Sequence, residues 1–158
     1  MREAFLSTVV AGAVVSFLVA TAVHAEDAPD RNATEIRAAV SGLYRALAAA
    51  DVASLVAYLP AEGFSEFSPP ESSLKTLDLE YFRRAFAAGV RVQLHVENEQ
   101  VRIHGDGAVV TAFRVGTIGL PQGQRLDVHD CMTMVWSRKD KAWLLRHVHI
   151  SACPSSPG

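Results

Sequence analysis

The sequence predicts an α+β domain, with three N-terminal helices packed on a strongly curved antiparallel sheet. Apolar residues recur at helical spacing up to about residue 88, and after Gly89 they alternate with polar ones. The switch happens once, so helices and strands are segregated along the chain. The chain has 158 residues, a length that suits one domain, and 49% of them are hydrophobic, enough for a packed core. The formal charge is −2, with mixed signs and no basic stripe, which argues against nucleic acid as a partner.

Residues 1–25 read as a signal peptide. Arg2 precedes an apolar stretch from Ala4 to Val23, and Val23-His24-Ala25 places small residues where a signal peptidase cuts. A polar segment, Glu26 to Asp30, follows. The stretch is nearly long enough to span a bilayer, but the good site at Ala25 favours cleavage over an anchor. The mature chain is then expected to be periplasmic or secreted, with no membrane contact. Residues 26–33 read as a linker, 34–153 as the domain and 154–158 as a tail.

The first helix is expected to start near Asn32 to Thr34, with Thr34 as a candidate N-cap. Ile36, Val40, Leu43, Tyr44 and Leu47 form its apolar face. Asp51 caps a second helix, which buries Val52, Leu55, Val56 and Leu59 and stops at Pro60. Residues 61–73 change to Gly, Ser, Pro and Glu and read as a loop. Phe64 and Phe67 in it are expected to cap the mouth of the cone, and Glu62, Glu66 and Glu71 to be wet or to belong to a lid. A third helix at about 78–88 turns Tyr81, Phe82, Ala85 and Phe86 inward and ends at Gly89.

Five strands should follow, at about 90–97, 99–104, 108–118, 125–137 and 142–152. Gly105-Asp106-Gly107 reads as a tight hairpin turn, and Gly119 to Gly123 as the next turn. A long curved sheet buries its concave face under the helices. Three short helices need not fill it, so a cavity is expected.

The ordered set Gly105-Asp106-Gly107-Ala108, Thr133-Met134-Val135-Trp136, Arg138-Lys139-Asp140-Lys141, Trp143 and His147-Val148-His149-Ile150-Ser151 resembles the association domain of calcium/calmodulin-dependent kinase II and its bacterial relatives. More broadly, residues 34–153 look like SnoaL-like and nuclear-transport-factor-2-like domains. The resemblance implies a cone-shaped, cystatin-like α+β barrel. It does not fix an activity, because the superfamily includes isomerases, cyclases, dehydratases, transport adaptors and oligomerisation hubs. The kinase hubs carry buried arginines on their late strands, and Val115 and Met134 stand at the matching places here. A carboxylate-binding pocket of that type is therefore not expected.

Strand parity gives a map of the cavity. With an unbulged final hairpin, Asp130, Met132, Met134, Trp136, Trp143, Leu145, His147 and His149 share the concave face. Tyr44, Tyr81 and Phe113 complete the expected lining. Asp130 with His149 or His147 is then a candidate acid–base pair, in which the carboxylate orients an imidazole that abstracts a proton. Tyr44 or Tyr81 would steady the resulting enolate. The bland reading is a buried Asp satisfied by a histidine. No third histidine is placed for a metal, and neither metal nor cofactor is expected. His95 and His104 sit on polar faces and read as solvated. The function expected is an exported, non-catalytic module that binds a small apolar ligand or oligomerises. The alternative is an isomerase, cyclase or dehydratase using the Asp–His pair. The opposite face of the sheet is apolar enough to favour a homodimer. Cys131 and Cys153 could bridge in an oxidising compartment. Direct pairing puts residues 148–150 opposite Cys131, so such a bridge would need the tail to bend back.

Overall fold

The computed structural model describes residues 27–69 and 73–153, so the expected signal peptide and tail lie outside the described residues. No helix among the described residues is long and apolar enough to cross a membrane.

Helix α1 (Asp27–Ala48) begins earlier than its periodicity suggests, inside the expected linker. Pro29 falls in its first turn, where the missing N–H has no intrahelical partner to lose. Thr34 is therefore interior rather than a cap. Ile36, Val40, Leu43 and Ala46 form the buried stripe. Helix α2 (Val52–Leu55) is capped as expected, since the Asp51 carboxylate accepts from the Ser54 amide at 3.1 Å and from its hydroxyl at 2.6 Å. Helix α3 (Leu79–Ala87) has Asp78 as its N-cap, accepting from the Tyr81 amide at 2.7 Å.

The segment read as a loop contains a short strand, β1 (Phe64–Phe67), and a second, β2 (Lys75–Leu77), follows it before α3. The long strands are β3 (Arg91–His104), β4 (Gly107–Gly119), β5 (Arg125–Lys139) and β6 (Ala142–Ala152). They form one open six-stranded sheet in the order β2-β1-β6-β5-β4-β3. Among the described residues, only the β1–β6 pairing is parallel. Residues 90–104, expected as two strands, are one strand with a bulge. Glu97 lies opposite Phe113 but Gln100 lies opposite Thr111, so Asn98 and Glu99 together face one partner residue.

A second bulge decides the site. Val135 pairs with His147, yet Trp136 pairs with Leu145, which leaves Arg146 as the extra residue of β6. A one-residue insertion reverses the facing of everything beyond it. Before Arg146, Trp143 and Leu145 are buried on the inner face; after it, Val148 and Ile150 take that face. The Arg146 side chain is held on Ser137 Oγ at 2.6 Å and on Glu62 at 2.7 Å.

The bulge also brings the cysteines together. Cys131, opposite Ser151, now projects from the same face as Cys153, and the two form a disulfide across a Cα separation of 5.0 Å. The tail does not need to bend back. Closing a loop of 22 residues constrains the unfolded chain by about 3 kcal/mol.

The second and third turns of α1 are fastened to the β5–β6 turn. Arg138 donates to Glu35 at 2.6 Å and to Asn32 at 2.8 Å, and lies 5.4 Å from the centre of the Trp143 ring. At the other end of the sheet, Gly116 of β4 has φ +135°, and a Cβ there would sit 2.1 Å from the Gln93 carbonyl oxygen. Two strands approach there as only glycine permits. Gly116→Ala is expected to lower stability by about 2 kcal/mol or more, read from urea unfolding. An unchanged midpoint would contradict this account of the sheet's bend.

Candidate functional site

The concave face and the helices enclose a cavity of about 330 Å³. Leu43, Tyr44 and Leu47 of α1 border it on one side, and Phe82, Ala85 and Phe86 of α3 on another. Met134, Leu145, Val148 and Ile150 form its floor. Tyr81, 43% exposed, and Leu126, 49% exposed, stand at the rim. The walls are almost wholly apolar, so the few polar side chains among them determine what the cavity can recognise.

Those polar groups are Tyr44, Glu66 and Arg114. Arg114 stands on β4 directly across from Asp130 on β5, and its Nη2 donates to Asp130 Oδ2 at 2.5 Å. Both side chains are largely shielded, at 18% and 24% exposure. A charged pair in such surroundings is held by its hydrogen bond and costs several kcal/mol if one partner is removed (about 3–5). The Nε of Arg114 is buried and has no hydrogen-bond partner among the described residues.

Glu66 shares the inner face of β1 with Phe64 and lies beside Val148 of β6. Among the ion pairs of the described residues, none includes Glu66; its cross-strand neighbour Lys75 does not border the cavity. The Tyr44 hydroxyl donates to Met132 Sδ at 3.1 Å, a weak acceptor that leaves the phenol's own lone pairs free. Burial pushes the Tyr44 pKa well above the usual phenol range. The Arg114 charge opposes this, and the Glu66, Asp130 and Glu99 charges add to it.

Family comparison agrees with this geometry. A model of the SnoaL-like domain matches residues 36–155. The chain belongs to the SnoaL-like domain family. Several solved structures share its fold. One is the hub of calcium/calmodulin-dependent kinase II from S. rosetta, 21% identical with a TM-score of 0.62, covering 76% of this chain and 95% of that one. A second is a nuclear-transport-factor-2-like protein from Cytophaga hutchinsonii, 21% identical with a TM-score of 0.65, covering 78% and 98%. The kinase hub homology domain from Chlamydamonas reinhardtii is 25% identical with a TM-score of 0.61, covering 77% and 98%. No curated protein matches the chain.

Within this SnoaL-like domain the expected site residues divide into two groups. Tyr44, Tyr81, Met134 and Leu145 border the cavity. Met132, Trp136 and Trp143 are on the inner face but serve as core, with Trp143 Nε1 directed at Glu35 at 3.4 Å. Asp130 is inside, paired to Arg114. His147 and His149 are not with it. Because of the Arg146 bulge they stand on the outer face, His147 opposite Val135 and His149 opposite Thr133. His147 Nδ1 lies 2.8 Å from Ser65 Oγ, and both imidazoles flank the Phe67 ring. Phe67 is thus an outer-face residue, whereas Phe64 is in the core. Phe113 is also outside, against His129, because β4 turns Ala112 and Arg114 inward instead. His95 and His104 are exposed, as expected.

Two polar residues of the cavity escaped the parity map. Arg114 is the one charged side chain on the inner parity of β4, after Ala108, Val110 and Ala112, and that break in the alternation was its signal. It stands next to Val115, the apolar residue at the place where the kinase hubs carry a buried arginine. Glu66 was hidden because β1 is only four residues long in a polar stretch.

The Tyr44 environment predicts a pH dependence. An unfolded phenol titrates near pH 10, and the folded value is raised. Stability from the neutral phenol is therefore fully present below about pH 10 and is lost as pH rises through the folded value. Tyr44→Phe should flatten the alkaline fall in unfolding free energy, measured in urea between about pH 8 and pH 11. Parallel curves for the two proteins would contradict the burial of this hydroxyl.

Proposed function

We propose that the protein is an exported SnoaL-like domain whose cone holds a small, neutral, largely apolar ligand with a hydroxyl or carbonyl group. The observation that carries this reading is the charge balance of the cavity. Arg114 is already committed to Asp130, which leaves Glu66 on the apolar walls without an ion-pair partner among the described residues. A ligand hydroxyl can donate to Glu66 or to the Tyr44 oxygen, and a carbonyl can accept from Arg114, whose Nε has no partner among the described residues. An acidic ligand would meet like charge at Glu66 in a poorly screened space. The alternative of proton abstraction by an Asp130–imidazole pair lacks support, because both imidazoles lie across the sheet from the carboxylate.

Titration with 2-naphthol and 2-naphthoate, followed by calorimetry, tests the reading. The neutral alcohol should bind, and the acid should bind about tenfold more weakly or less, since like-charge apposition opposes it. Glu66→Gln should narrow that gap. Saturable binding of neither compound, or preference for the acid, would sink the proposal.

Export is supported by the Val23-His24-Ala25 site and by the disulfide, because such bridges persist in oxidising compartments. A homodimer through the outer sheet face is supported by Phe113, Thr133, Val135 and His149 there. Structural neighbours named as association domains and hubs also favour it. Native mass spectrometry of protein recovered from its producing cells should show a dimer of chains beginning at Glu26. A monomer, or chains retaining Met1, would contradict the respective half.

A further inference from the structure

We infer that the Cys131–Cys153 bridge is a redox latch on the cavity, with ligand affinity falling when the bridge is reduced. The inference rests on the ligand reading above and concerns the regulation of that site.

The end of β6 is held on one side only. Strand β1 pairs with His147, Val148 and His149 and stops there, so among the described residues Ile150, Ser151 and Ala152 have ladder partners on β5 alone. Two features of the site depend on this half-supported segment. Ile150 is buried and forms part of the cavity floor. Ala152 is the ladder partner of Asp130, the carboxylate that holds Arg114. The disulfide joins the residue after Asp130 to the residue after Ala152 and so closes the ladder at its last pair.

A strand end paired on one side alone is where fraying begins. The bridge opposes it. A dithiol reductant, itself oxidised to a disulfide, delivers two electrons and two protons, breaks the S–S bond and leaves two thiols. Once the segment is released, Ile150 leaves the floor and water reaches Asp130 and Arg114. The binding-competent fraction then drops, and apparent affinity drops with it. Both cysteines are half-buried, so the bridge is within reach of a reductant.

The test compares oxidised protein, protein reduced with a phosphine, and the C131S/C153S double variant. The readouts are calorimetric binding of 2-naphthol and hydrogen exchange of the peptide covering β6. Reduction should accelerate exchange in residues 150–153, leave α1 and β4 protected, and weaken binding about fivefold or more. The double variant should match the reduced protein and ignore the reductant. Equal exchange at the end of β6 in all three states would overturn the latch, as would equal affinity. If the oxidised protein binds no 2-naphthol, the ligand reading fails and the affinity half of this proposal fails with it. Exchange then still decides whether the bridge holds the strand end. If the double variant does not fold, the reduced wild-type chain gives both readouts.

Discussion

The extra residue at Arg146 is the constraint on which the site depends. One inserted residue in β6 shifts the ladder from Val135–His147 to Trp136–Leu145. It lets Trp143 and Leu145 near the turn, and Val148 and Ile150 near the end, all face the core. The same shift puts both imidazoles of the His-x-His run outside and aligns Cys153 with Cys131. Bulges bend and twist the strand that carries them, which suits a sheet that must curl around helices. Arg146 is secured by Ser137 and Glu62, so its long side chain is accommodated at the surface rather than buried.

Behind that floor the cavity is apolar except for an arginine–aspartate pair, a glutamate and a protonated phenol. Placing Arg114 across from Asp130 makes the buried guanidinium tolerable and removes it from general use as an anion trap. Besides that pair, the polar groups facing the apolar walls are the Glu66 carboxylate and the Tyr44 hydroxyl. The domain's family membership is compatible with binding or catalysis, so the argument for a ligand comes from these side chains and not from the fold.

Much of the architecture was legible in the sequence. The three helices, the alternation after Gly89, the turns at Gly105 and Gly119, and the burial of Met134, Trp136 and Trp143 follow from periodicity and turn chemistry, whereas the expected single switch from helix to strand is broken by β1 and β2, which precede α3. The parts that were missed share a cause. Parity is a long-range inference that one residue can invert, and no glycine or proline marks the bulge. The trace it left is a phase slip: apolar positions run 143, 145 and then 148, 150, a gap of three where two was due. A similar slip separates Val96 from Val101 around the Asn98–Glu99 bulge. Strands β1 and β2 were invisible because short pieces in a polar segment carry no period; β1 takes its pairing from β6, and β2 takes its pairing from β1.

The register of the β5–β6 hairpin can be read directly by cross-strand nuclear Overhauser effects in the oxidised protein. A bulge at Arg146 predicts contacts of Thr133 with His149 and of Met134 with Val148. Contacts of Met134 with His147 and of Thr133 with Val148 would mean a regular hairpin, would return both imidazoles to the hollow beside Asp130, and would contradict the site described for this domain.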